Sequence, residues 1–291
     1  MPDEYKLMYE SVLPVCKYYI QLRYKLLQLF YDAMWENALT GLPICRTLFL
    51  TDPEDMALFN DRTDFLDNEF MVRNDLLIAP VIEKESDENG HGKRDVYLPA
   101  GSRWYQFTNN RCPLGEVIEG GSNVSEFDVH INNDPGHIPS YIVPMFVREG
   151  AIIPTVEIEQ YVGERNAKGL PNPVTLNIYP GEQGEYTMYL DDGVSRSSQP
   201  ELFQQIGIDL LANGEYREVR ISHKWTSERT RRITVLRVHD GYTPQYEKYY
   251  CLALLHDPLD GEYPVRNLKI NGETIAKADT KEAFESAETD T

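Results

Sequence analysis

From Lys17 to Leu39 the apolar residues Ile20, Leu22, Leu26, Leu27, Phe30, Ala33 and Met34 recur at helical spacing on one broad face, and Gly41 stands where a helix ends. The pattern predicts one long amphipathic helix. No comparable second helix follows to cover it, which implies a missing packing partner. After Gly41 the chain changes to short β-type runs at Ile44 to Leu50, Leu76 to Ile82, Asp95 to Leu98, Tyr141 to Val147 and Ala151 to Pro154. Asn89-Gly90, Gly101 and Gly120-Gly121 punctuate them, as expected for an antiparallel sandwich. A second β-rich block follows, with runs at Val174 to Tyr179, Tyr186 to Leu190, Glu218 to His223, Arg232 to His239, Tyr249 to His256 and Val265 to Ile270. Asn271-Gly272 after the last run is a strong hairpin signal. Gly163 to Pro173, rich in Gly, Asn and Pro, reads as a boundary between blocks, and the polar, acidic stretch from Ala276 to Thr291 is expected to fray.

Composition narrows the classes. With 291 residues, 41% of them hydrophobic, the chain can bury a real core. A formal net charge of −19 repels nucleic-acid phosphates and anionic membrane surfaces, so neither is an expected partner. No apolar run approaches the ~20 residues a membrane span needs, and Met1-Pro2-Asp3-Glu4 does not open a signal peptide. Asn123-Val124-Ser125 is a glycosylation triplet with meaning only in the secretory pathway, so the compartment stays open. Cys16, Cys45, Cys112 and Cys251 lack any short paired spacing and read as buried thiols. There is no repeat, heptad run or phosphate-cradling glycine motif.

Arg23, Tyr24, Leu26, Leu27 and Tyr31, then Gly41, Pro43, Arg46, Leu48 and Phe49, are similar to the last barrel helix and following strand of glycoside hydrolase family 31, with Gln28 and Thr47 where prolines are usual. Phe70 and Leu76-Leu77-Ile78-Ala79-Pro80-Val81 follow in the family's order, with Glu69 and Asn74 departing from its pattern. Val96-Tyr97-Leu98-Pro99, Trp104-Tyr105 and Val147-Arg148-Glu149-Gly150-Ala151-Ile152-Ile153-Pro154 complete the series. Glu159 to Glu164, Asn172 to Gly181 and Tyr186 to Gly193 look most like the family's α-1,4-glucan lyases.

The resemblance implies a mainly β chain: the end of a (β/α)8 barrel (one long helix) in residues 1–70, then two antiparallel β-sandwich domains, a proximal one in 71–154 and a distal one in 155–291. Retaining cleavage of an α-glucoside needs two carboxyl groups about 5 Å apart. The family carries them as aspartates on earlier barrel strands, and no segment here matches either motif. The implied assignment is a C-terminal part of an α-glucan-cleaving enzyme with no catalytic, metal or cofactor-binding residues, meeting an α-1,4-glucan only through the missing barrel. In a lyase the aspartate nucleophile would, on leaving the glycosyl-enzyme, take the proton from C2 and release 1,5-anhydrofructose. In an α-glucosidase water would attack the same intermediate. The other-class alternative is a non-catalytic carbohydrate-binding β-sandwich module.

Four groups invite a chemical reading. Asp52, Glu54, Asp55, Asp61, Asp64, Asp67 and Glu69 crowd one region without EF-hand spacing, so a solvated acidic loop is expected instead of a calcium site. Asp191-Asp192-Gly193 reads as a hairpin turn. His223, His239 and His256 lie near strand ends with no ligand spacing and read as isolated histidines. Trp104, Tyr105 and Phe107, and Tyr246, Tyr249 and Tyr250, could stack on sugar rings, but core packing is the simpler expectation.

Overall fold

A computed structural model describes residues 13–60, 64–82, 93–107, 117–129, 142–161, 163–165, 169, 172–194, 214–242, 250–255 and 267–275. The expected helix is two in line, α1 (Leu13–Lys25) and α2 (Leu27–Thr40). At the junction Leu26 leaves helical geometry (φ −89°, ψ 10°). Its N–H still donates to Leu22 O (3.0 Å) and its carbonyl accepts from Phe30 N–H (3.2 Å), so the ladder continues across the break. Gly41 ends α2 as expected, in the left-handed region at φ 78° with its N–H on Asn37 O.

The broad apolar face is in fact two faces. Leu22, Leu26, Leu29 and Ala33 are buried, whereas Ile20, Leu27 and Met34 are 58%, 53% and 54% exposed. At 3.6 residues per turn Ile20 and Leu22 lie about 200° apart, so they cannot share a side. The expectation of one face was wrong on geometry alone.

Ile44 to Leu50 is not a strand throughout. Only β1 (Cys45–Arg46) is extended, and α3 (Leu48–Thr51) is one helical turn closed by Asp52 N–H on Leu48 O (2.8 Å). Further on come β2 (Phe70–Val72), β3 (Leu76–Ile78), β4 (Lys93–Leu98), β5 (Arg103–Gln106), β6 (Val117–Glu119), β7 (Ser122–Asp128) and β8 (Met145–Arg148). Five of them join β1 in an antiparallel sheet of order β1-β2-β3-β8-β5-β6, while β4 pairs with β7. Side chains of the larger sheet alternate between two cores, as a period of two requires. Met71, Leu77, Trp104 and Phe146 join one core with Val96, Leu98, Leu48 and Leu58. Val72, Leu76, Tyr105, Met145 and Val147 join the other with Leu22, Leu26 and Leu29. Burial on both faces explains why β2, β3 and Met145 to Val147 of β8 read as unbroken apolar runs.

The larger core also takes in β9 (Ile152–Val156), β10 (Val174–Ile178), β11 (Gln183–Leu190) and β12 (Arg217–Ser227), and it is flanked by β13 (Thr230–Asp240) and β14 (Tyr250–Leu254). β11, β12 and β13 form an antiparallel sheet; β9 pairs antiparallel with β10, but β14 is parallel to β10, a departure from the all-antiparallel expectation. Residues 157–173, which include the expected boundary, therefore join neighbouring strands of one sheet. A separate unit from Leu259 holds the hairpin β15 (Leu268–Ile270) and β16 (Glu273–Ile275). Its turn has Asn271 and Gly272 at φ 50° and 91°, the positive pair that Asn-Gly is suited to adopt.

Candidate functional site

The acidic residues before β2 are not a solvated loop. Asp52, Asp55 and Glu69 are buried. Asp52 accepts both Nη groups of Arg148 at 2.8 Å in a bidentate pair, and Arg148 also lies 4.5 Å from the Trp104 ring centroid. Asp55 takes Ala57 N–H (3.0 Å), Tyr97 O–H (2.6 Å) and Ala100 N–H (2.8 Å), capping the 3-10 turn Met56–Phe59. Glu69 accepts Tyr97 N–H (3.0 Å) and faces Arg94 at 3.4 Å. Glu54 and Asp67 are exposed, and Asp61 and the Asp64 side chain lie outside the described residues.

Burial pushes the Glu69 carboxyl up to about 7, outweighing Tyr97 N–H and Arg94. A folded value above the unfolded one stabilises fully below the unfolded value and is lost as pH rises through 7. Glu69→Gln is therefore expected to shrink the loss of stability between pH 5 and pH 8 by on the order of 2 kcal/mol. Asp32, raised by burial to about 7 as well, leaves a residual slope of the same sign. Urea midpoints at the two pH values check this; parallel pH dependences of variant and wild type would refute it.

Asp32 is the centre of a second buried network. Its carboxylate accepts Gln28 Nε2 (3.0 Å), Tyr189 N–H (2.7 Å) and Tyr186 O–H, tying α2 to β11. Nearby, Glu36 accepts Arg46 (2.6 Å) and Arg73 (3.0 Å), and Arg73 lies 4.5 Å over the Tyr186 ring. Gln28, where the family pattern has proline, also donates to Tyr189 O (3.0 Å). Asp191-Asp192-Gly193 is a turn but not a tight hairpin, since β12 begins only at Arg217. Asp191 accepts Tyr31 O–H and Tyr189 O–H, both at 2.7 Å, and Gly193 N–H (2.9 Å). These carboxylates act as ties between elements.

The remaining candidates are structural as well. His223 is buried, with Nε2 on Gly150 O (2.8 Å) and Nδ1 beside Arg231 (2.9 Å); burial holds its pKa below the ordinary value. His239 stacks on Tyr216 at 4.0 Å and contacts Gly214 O, while His256 lies outside the described residues. Trp104 and Tyr105 are fully buried and closed to any sugar, Trp104 donating to Pro99 O (2.9 Å). Phe107 and Tyr250 pack against the larger core, and Tyr246 and Tyr249 fall outside the described residues. The cysteines are less buried than expected: Cys45 is exposed, Cys16 and Cys251 are half-buried, and Cys112 is not described. Among the described residues no group of three or more His, Cys, Asp or Glu is placed to hold a metal.

In a mainly β fold the buried carboxylates Asp32, Asp52, Asp55 and Glu69 thus serve as internal ties. Residues 41–153 match the C-terminal domain of glycosyl hydrolase family 31. The chain is 29% identical to an alpha-xylosidase of Saccharolobus solfataricus over 61% of this chain and 20% of the relative. It is 30% identical to a 1,6-alpha-glucosyltransferase of Sporosarcina globispora over 67% of this chain and 13% of the relative. The alpha-1,4-glucan lyase of Gracilariopsis lemaneiformis shares its fold with TM-score 0.66 at 20% identity, over 95% of this chain and 25% of that structure. The chain thus spans a fifth or less of the length of these curated relatives.

Proposed function

We propose that the chain is the non-catalytic C-terminal part of a larger retaining α-glucan-cleaving enzyme, and that the rest of the catalytic (β/α)8 barrel precedes it and packs on α1 and α2. One observation carries this reading. Leu13, Ile20, Leu27 and Met34, at seven-residue intervals, are 51%, 58%, 53% and 54% exposed, with Tyr24 beside them at 54%. The opposite side of the same helices is buried in the chain's own core. A helix apolar on both sides is suited to burial on both. On this reading the barrel's share of the chain ends with α2, because β1 is already paired into the six-stranded sheet. The proximal and distal sandwich blocks brace the barrel's flank, the catalytic aspartates lie upstream, and an α-1,4-glucan meets the enzyme there.

The finer proposal is an α-1,4-glucan lyase. The wording of residues 159–193 supports it; the fold shared with the algal lyase is compatible with it. The competing reading within the family is an α-glucosidase. The chain alone is expected to show no turnover of maltose or starch, and the chain joined to its upstream domain to release 1,5-anhydrofructose. Product analysis by chromatography decides: glucose release moves the assignment to the hydrolase, and turnover by residues 1–291 alone sinks the accessory role.

A further inference from the structure

We infer that the open margin between β13 and β14 is a docking surface for an extended, acidic segment of a partner protein, which adds to β13 as a further strand. Two three-stranded sheets, β9-β10-β14 and β11-β12-β13, share the larger core. One margin is closed, because α2 lies against β9 and β11. At the other stand the edge strands β14 and β13, each bonded along one side only among the described residues. The core stops there uncovered. On β13, Val235 stands opposite the fully buried Ile221 and is itself 44% exposed. On β14, Leu252 and Leu254 stand opposite the fully buried Leu176 and Ile178 and are 45% and 42% exposed. An edge of 11 residues with bare apolar side chains is a template for strand addition.

Charge selects the occupant. The hairpin from Arg217 to Asp240 holds seven Lys and Arg against three Asp and Glu, inside a chain of net charge −19. Asp240 is taken up by Arg217 and Arg237, and Arg220 faces Glu185. Lys224 and Arg232 are exposed, with no ion pair among the described residues, and stand directly opposite each other on the outer side of the sheet. Like charges so placed work against the sheet until an anion lies beside them. A second copy of this chain fits poorly, because β13 laid against itself sets Arg231, Arg232 and Arg237 of one copy along the same three of the other. A strand that alternates apolar and acidic residues fits on both sides. Its apolar side chains extend the core over Val235, Leu252 and Leu254, and its carboxylates meet Arg232 and Lys224.

The test titrates the full chain, isotope-labelled for NMR, with a capped peptide of about nine residues that alternates valine and glutamate, a strand-length probe. The control alternates valine and lysine. The acidic peptide is expected to shift the β13 amides and the Leu252 and Leu254 methyls saturably, with Kd on the order of 100 μM, and the basic one to leave them unmoved. Raising salt from about 0.05 M to about 0.5 M is expected to weaken binding severalfold. Lys224→Glu combined with Arg232→Glu is expected to weaken it at least about tenfold. The thermal melt should stay unchanged, since both side chains are exposed and the cross-strand pair stays like-charged. Absence of saturation by about 2 mM, equal binding of the double variant, or equal binding of the basic peptide would each overturn the inference. So would self-association of the chain in sedimentation that Val235→Asp abolishes, which assigns the margin to a second copy. Loss of peptide binding once the chain is joined to its upstream domain assigns it to that domain and overturns the inference as well.

Discussion

Gly184→Ala is expected to destabilise the chain by at least about 4 kcal/mol, a large part of what a domain has to lose. A Cβ on Gly184 would lie 1.8 Å from Gly150 O, 2.9 Å from Gly150 C and 2.7 Å from His223 Nε2. The first two contacts are backbone and cannot swing aside. Gly150 is itself constrained, with φ 77° and its N–H on Pro180 O (2.6 Å), and a Cβ on Gly181 would sit 2.6 Å from Gly150 N. The corner between β8 and β9 is therefore in direct backbone contact with the turn before β11. His223 closes the same contact from β12 by accepting Arg231 on one nitrogen and donating to Gly150 O with the other. A urea midpoint within about 0.2 M of wild type, read by tryptophan fluorescence, would show that the corner can yield.

Arg148→Ala is expected to lower stability by about 3–5 kcal/mol, because it strands the buried Asp52 carboxylate without its counter-charge. It also removes the donor to Asn74 O (2.8 Å) and the guanidinium over Trp104. Adding Asp52→Asn to that variant is expected to recover part of the loss, since a neutral amide tolerates burial better than an unpaired charge. A double-mutant cycle measures the coupling. A single-variant loss below about 1 kcal/mol would mean that solvent reaches Asp52 and that the pair is ordinary surface chemistry.

The strands with apolar alternation or β-branched runs were legible in the sequence: β4, β10 and β11 lie where the pattern placed them, and Asn271-Gly272 turns as its chemistry dictates. Family kinship was legible too, because residues such as Arg46, Arg148 and Gly150 occupy positions fixed by contacts far along the chain. What escaped depended on those distant partners. β5 and β6 are short, and β5 is held in the sheet by β8, some forty residues further along. The burial of Asp52, Asp55 and Glu69 could not be read from a run of acids, since Arg148, Tyr97 and Arg94 supply the compensation. Composition alone marked Gly163 to Pro173 as a separator, and the strands on either side of it, β9 and β10, are bonded to each other.

The ties from α2 to β11 also set an order of events during synthesis. Gln28 meets Tyr189 and Tyr31 meets Asp191, 161 and 160 residues further along the chain. At bacterial and eukaryotic translation speeds those strands leave the ribosome roughly ten to thirty seconds after the helix does. In that interval Leu22, Leu26 and Leu29 can meet the earlier strands of their core but not β11 and β12, which complete it. A ribosome that stalls before β11 therefore releases a nascent chain with a half-covered leucine row, a natural recognition mark for chaperones and for quality-control proteases.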